Sequence, residues 1–107
     1  MFEINGISWK IVFVSSNSDY LRRSDNSITV GMTDWNTKCV YLNNNLRGGF
    51  LRKVLAHELC HCFCFSYNVV MPIELEESLA DFIATYGTEL IYLLDDLMSV
   101  VIRRVAK

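Results

Sequence analysis

From Phe50 to Phe65 the chain runs for sixteen residues, most of them apolar, with no glycine or proline, and in the middle of that run stands His57-Glu58-Leu59-Cys60-His61. An apolar stretch of this length and composition is a helix, buried on more than one side. The spacing of four brings His57 and His61 onto one helix face, about 6 Å apart along the axis. Two imidazole nitrogens placed so can meet one Zn²⁺ at ~2.0–2.1 Å each. Glu58 lies about a quarter turn round, outside the ligand set but within reach of a water at the ion. The chain has two histidines, and both are in this motif. Left unpaired on an apolar helix, either would cost desolvation energy; a shared metal ion removes that cost.

H-E-x-x-H on a helix is the zinc-peptidase arrangement of two His ligands and a Glu general base. A catalytic zinc takes three protein ligands. With no third histidine, the third must be Asp, Glu or Cys. Downstream of Pro72 the chain offers Glu74, Glu76, Glu77 and Asp81. Glu77 and Asp81 are four apart and share a helix face, so one can bind the ion while the other accepts from the free N–H of a ligand ring. Glu77 is the favoured metal ligand, with Asp81 as the outer partner. Glu74 and Glu76 are expected to meet solvent and the positive end of the helix dipole. Cys60 and Cys64 share the face of His57 and His61, which raises a Cys₂His₂ structural zinc; four donors along one helix face form a line, however, and cannot surround an ion tetrahedrally.

The rest of the composition narrows the field. At 107 residues the chain is expected to form a single domain, residues 1–107. A formal net charge of −2 gives no electrostatic case for nucleic acid. No basic segment leads into an apolar signal region. The longest candidate for a membrane span, Leu90 to Val101, is broken by Asp95 and Asp96. Of four cysteines, Cys60, Cys62 and Cys64 sit within five residues of one helix, a poor disulfide framework. Reduced thiols acting as small core residues, and a cytoplasmic location, are expected.

The chain in order predicts an α+β fold. Phe2 to Val14 alternates around Asn5-Gly6, the strongest short hairpin signal, giving strands near 2–4 and 7–14. Ser16 or Asn17 is expected to cap a short helix through Asp19 to Arg22. Ser27–Met32 and Lys38–Asn43 are strand candidates, with a turn at Thr33 to Asn36. The motif helix spans about Arg47–Ser66. A second helix opens at Pro72, where a missing N–H costs nothing, and stops at Gly87. Thr88 caps a third, whose Leu90, Leu93, Leu94, Leu97, Val101 and Val105 keep helical spacing. The predicted whole is a small antiparallel or mixed sheet of three to four strands followed by three helices.

The motif and the downstream stretch Glu77-Ser78-Leu79-Ala80-Asp81-Phe82-Ile83-Ala84 resemble the gluzincin pattern of H-E-x-x-H with a later E-x-x-x-D. More narrowly they resemble the ImmA/IrrE family of bacterial and phage metallopeptidases, in which a helix of the form E-x-E-A-N-x-F-A comes after the motif. Glu77 falls on that family's ligand Glu, Ala80 on its small residue, Asp81 on the polar residue beside it, and Ile83-Ala84 on the F-A pair. Leu79 stands where the family has a second acid, and Cys60 where it has Gly. The resemblance implies a minimal zincin-like domain with Lys38–Asn43 as the sheet edge over the active-site helix. It implies a zinc peptidase acting on a specific protein or peptide substrate, such as a phage or mobile-element regulator; the charge and the interrupted apolar stretches lead to the expectation of no nucleic-acid and no membrane partner. In that expectation His57, His61 and Glu77 hold the zinc, and Glu58 activates the zinc-bound water. The oxyanion partner is left open: Tyr67 and Tyr86 could reach by placement, but an exposed or core Tyr is the better reading of each. The competing expectation is a zinc-stabilised binding module, or a phage regulatory or anti-defence protein, on a zincin scaffold.

Overall fold

The computed structural model describes residues 1–105. The expected hairpin is present. β1 (Phe2–Ile4) and β2 (Ile7–Val14) pair antiparallel, with Phe2 opposite Trp9 and Ile4 opposite Ile7. Asn5 (φ 50°) and Gly6 (φ 78°) both take the left-handed conformation that a two-residue turn of this kind requires. A 3-10 turn comes next at Asp19–Leu21, capped by Ser18 rather than by Ser16 or Asn17: its hydroxyl accepts from the Tyr20 N–H. β3 is Gly31–Asp34 and β4 is Cys39–Asn43. β3 therefore lies later than the expected 27–32, and the turn moves to residues 35–38, where Lys38 takes φ 55°.

The four strands form one mixed sheet in the order β1-β2-β4-β3, with β2 and β4 parallel and the other pairs antiparallel. This corrects the expectation for Lys38–Asn43. β4 lies inside the sheet, hydrogen-bonded on both sides, and β3 is the edge. The hydrophobicity of β4 agrees with that: Cys39, Val40, Tyr41 and Leu42 are all buried, as a strand covered on both faces must be.

Helix α1 (Gly48–Ser66) packs on one face of the sheet, where Trp9, Val40 and Leu42 close on Val54 and Cys62. The hairpin holds its C-terminal end. The Trp9 indole donates to the Ser66 hydroxyl at 2.9 Å, and the Asn5 amide to the Ser66 carbonyl at 2.9 Å. The opposite face of the sheet, with Val12, Val14, Met32, Cys39 and Tyr41, is covered by Leu21, and Tyr20 stacks on Tyr41 with centroids 4.4 Å apart.

The polypeptide after Pro72 forms one helix, not two. α2 runs unbroken over Ile73–Val105. The expected third helix is the second half of α2, so the described residues hold two α-helices. Glycine inside a helix costs only about 1 kcal/mol relative to alanine, too little to end α2 at Gly87. Thr88 does not act as a cap; its hydroxyl accepts from the Arg52 guanidinium at 2.8 Å. α2 packs against α1, where Ala80 is fully buried beside Cys60 and Cys64. These small residues let the helices approach closely. No described helix is long and apolar enough to cross a membrane.

Gly31 marks a close approach of the sheet edge to α1. A Cβ there would stand 2.8 Å from Val54 Cγ1 and 3.2 Å from Glu58 Cγ. Gly31→Ala is therefore expected to destabilise the fold by about 1–3 kcal/mol through overpacking, read as a lower midpoint in chemical denaturation. An unchanged midpoint would mean that β3 is free to move away from α1.

Candidate metal centre

The site is built where α1, α2 and β3 meet. His57 and His61 lie one helical turn apart on the α1 face turned toward α2. Their rings meet edge to face, with Nε2 atoms 3.3 Å apart. From α2, Glu77 brings Oε2 to 3.2 Å from His57 Nε2 and Oε1 to 2.8 Å from His61 Nε2. One ligand atom from each of these three residues lies within 4.8 Å of the others.

The outer nitrogens are also engaged. His57 Nδ1 meets Asp81 Oδ1 at 2.8 Å, and His61 Nδ1 meets Glu76 Oε2 at 2.5 Å. A carboxylate accepts and does not donate, so each Nδ1 donates outward and each Nε2 is turned inward toward Glu77. With Nδ1 so engaged, the Nε2 lone pair of a neutral ring would be open to a cation. Two nitrogens bound at ~2.05 Å to a tetrahedral ion stand about 3.3 Å apart, which is the separation present here. The donor set of two imidazoles and a carboxylate, each imidazole oriented by an acid, suits zinc. His57, His61 and Glu77 are thus able to hold a metal ion.

Glu58 leans the other way, toward the sheet. Its side chain is buried, and the Thr33 hydroxyl on β3 lies 2.8 Å from Oε1. Oε2 remains free of that contact and stands 4.0 Å from His57 Nε2. This places a carboxylate beside the cluster of His57, His61 and Glu77. A cavity of about 450 Å³ opens over it, lined by His57, Glu58, His61 and Glu77 and walled by Gly31, Thr33 and Arg23. A second cavity, of about 280 Å³, shares His57, Glu58, Glu77, Gly31 and Arg23 and continues past Asp81 and Lys53. The two together form a groove along the β3 edge, with the cluster at its middle.

Glu76 is the main departure within the site. Its place in the first turn of a helix predicts a solvent-facing acid; instead it is buried and pairs with His61. The signal available is its position four residues before Ala80, the small residue at the helix contact. Thr33 and Arg23 belong to no motif and become visible only with the topology. Tyr67 and Tyr86, the candidate oxyanion residues, are exposed, Tyr67 stacked on Phe63 and Tyr86 tilted against Phe82; neither lines either cavity over the cluster.

The thiols stay outside the cluster. All four cysteines are free and buried. Burial raises the Cys60 thiol to about 11, with the neighbouring Cys64 adding to the effect. Burial raises Cys62 to about 12. A group that holds its proton so firmly serves as a small apolar residue, not as a thiolate ligand.

Because Glu76 holds the His61 ring from behind, Glu76→Leu is expected to weaken metal affinity by about 10–100-fold while all three candidate donors remain. Competition with a chromogenic chelator measures this. Native affinity in that variant would mean that the His61 ring is oriented by packing alone.

No curated protein matches the chain. A peptidase family model, described as the IrrE N-terminal-like domain, matches residues 9–93. That span covers most of the chain and contains α1, the first part of α2 and every residue of the cluster. The chain belongs to the IrrE N-terminal-like peptidase family.

Proposed function

We propose that the chain is a zinc-dependent peptidase of the H-E-x-x-H type, a single minimal zincin-like domain that cleaves a specific protein substrate. The observation that carries this reading is the convergence of the two imidazole Nε2 atoms and Glu77, with Glu58 beside them in an open groove. His57, His61 and Glu77 would hold the ion. Zinc bound there supplies Lewis acidity, polarising a carbonyl oxygen and making water acidic enough to lose a proton near neutral pH.

The chain's own groups do the rest. Glu58, fixed through Oε1 by Thr33, takes the proton of the attacking water on Oε2 and passes it to the leaving amine. Asp81 and Glu76 keep the two rings in the tautomer that presents Nε2. The outer edge of β3 offers unpaired main-chain groups to an extended substrate, in the manner of an added strand. Arg23 walls both cavities, with its guanidinium donating to the Thr29 hydroxyl at 3.2 Å, and is a cation that a substrate in the groove would meet.

The resemblance supports a narrow natural substrate, such as a regulator of phage or mobile-element origin, over general digestion. Four free thiols fit a reducing, cytoplasmic setting. The test is zinc-loaded protein incubated with a proteome-derived peptide library, with new termini mapped by mass spectrometry. A recurring cleavage motif that appears with zinc and disappears with chelator is the expected result. A library untouched by zinc-loaded protein, together with a metal that resists chelation, would instead make the zinc a structural staple.

A further inference from the structure

We propose that the groove selects its substrate by charge: Arg23 and Lys53 form a subsite for an Asp or Glu side chain on one side of the bond to be cut. This rests on the peptidase activity proposed above and names the class of substrate it takes. Lys53, His57, His61 and Phe65 follow one another at intervals of four, so they make one stripe along α1. The stripe changes character along its length. Its middle is the metal cluster. Toward Phe65 the cavity wall continues with Met32 and Ile73, and the acid there, Glu76, is paired with His61. Toward Lys53 the wall continues with Arg23 and Thr29. Arg23 reaches both cavities, whereas Lys53 lines the one at its own end and not the one at the Phe65 end. A chain lying in the groove thus meets concentrated positive charge on one side of the cluster and apolar surface on the other.

The two cations are not spent on the protein's own acids. Among the described residues neither is in an ion pair. The carboxylates that share their cavity are engaged elsewhere: Glu58 by the Thr33 hydroxyl, Glu77 by the two Nε2 atoms, Asp81 by His57 Nδ1. Asp25, in the same loop as Arg23, accepts from the Ser27 N–H at 2.9 Å and from its hydroxyl at 2.6 Å. Arg23 is also held in position. Its N–H donates to the Ser27 carbonyl at 2.7 Å, its carbonyl accepts from the Asn26 N–H at 2.9 Å, and its guanidinium donates to the Thr29 hydroxyl at 3.2 Å. A guanidinium has five N–H donors, so the Thr29 contact leaves others for a ligand.

These contacts say what the subsite takes and where. The planar fork of an arginine matches a carboxylate, and charge-assisted bonds of this kind are about twice as strong as neutral ones. Lys53 adds a second cation one helical turn before His57, so a basic side chain at this end would be repelled by both. From Lys53 to the midpoint of the histidine pair is about 9 Å along the α1 axis, and an extended chain advances ~3.3 Å per residue. The preferred Asp or Glu therefore falls about three residues from the scissile bond, always on the same side of it.

Two measurements on the zinc-loaded full chain test this. In a digest of the peptide library, the native protein is expected to cut where an Asp or Glu stands about three residues to one constant side of the broken bond. The preference should weaken as salt rises from about 0.05 to about 0.5 M. The double variant Arg23→Glu, Lys53→Glu is expected to keep its zinc stoichiometry and circular dichroism and to prefer Lys or Arg at that position. Its kcat/KM on acidic peptides should fall by about 10-fold, through KM. The second measurement is binding without hydrolysis: fluorescence anisotropy of labelled neutral decapeptides carrying a single Glu, Gln or Lys, on the Glu58→Gln chain. The Glu peptide is expected to bind about 10-fold tighter than its Gln counterpart, and the order to reverse when Arg23 and Lys53 are also replaced by Glu. Cut sites indifferent to charge, Glu and Gln peptides bound alike, or a preference that survives the double variant would each overturn the subsite and leave the peptidase standing. Charge-selective binding by a native chain that cuts nothing would keep the subsite and remove the peptidase.

Discussion

Glu58→Gln is expected to bind zinc as the native chain does and to cleave its substrate about 10²–10⁴-fold more slowly. The two halves of that expectation come from different contacts. Metal affinity is placed on His57, His61 and Glu77, whose ligand atoms cluster within 4.8 Å. Glu58 stays outside, its Oε1 on the Thr33 hydroxyl and its Oε2 4.0 Å from His57 Nε2. An amide can still accept from Thr33, so the contact between β3 and α1 is kept and the fold retains its stability. What an amide lacks is the basicity to take a proton from water and hand it to an amine. The loss should therefore fall on kcat, with little change in KM. Full activity in the variant would remove Glu58 as the base. Loss of zinc together with activity would place Glu58 among the ligands.

Glu77→Ala has the second large expected effect. It removes both oxygens that face the two imidazoles, at 3.2 and 2.8 Å, and leaves an ion with two protein donors where a catalytic zinc has three. Affinity should fall by more than the ~10–100-fold expected for loss of an outer partner. Glu77 is half-exposed and α2 is long, so the helix should form without it. The variant is expected to keep its circular dichroism while losing zinc in dialysis against a weak chelator. Retention of zinc at native affinity would move the third ligand to another acid of α2, with Asp81 next in reach.

How far the sequence foretells this site depends on which kind of order is involved. Local order is legible. Asn5-Gly6 specifies the hairpin, the apolar run around His57 specifies α1, and the spacing of Glu77 and Asp81 puts both acids on the side of α2 that meets the motif. Order between elements is not. Whether β3 or β4 takes the sheet edge depends on the parallel pairing of β2 with β4, and strand alternation is blind to partners. Gly87 is a helix stop in an isolated segment. In this chain the helical segments on either side are strong enough to continue through it, and the Arg52 contact occupies the Thr88 hydroxyl that would have capped a new start. Glu76 escapes a sequence reading for a related reason. A carboxylate in the first turn of a helix satisfies the dipole wherever it points, and only the packing of Ala80 on Cys60 and Cys64 turns its neighbour inward, toward His61.

The zinc content of the folded chain, measured by inductively coupled plasma mass spectrometry after equilibrium dialysis, bears most directly on the central claim. A single tightly held ion per native chain is expected, lost on dialysis from both His57→Ala and Glu77→Ala. A folded native chain that emerges without zinc, or two variants that retain it as the native chain does, would contradict the metal centre on which the proposed activity rests.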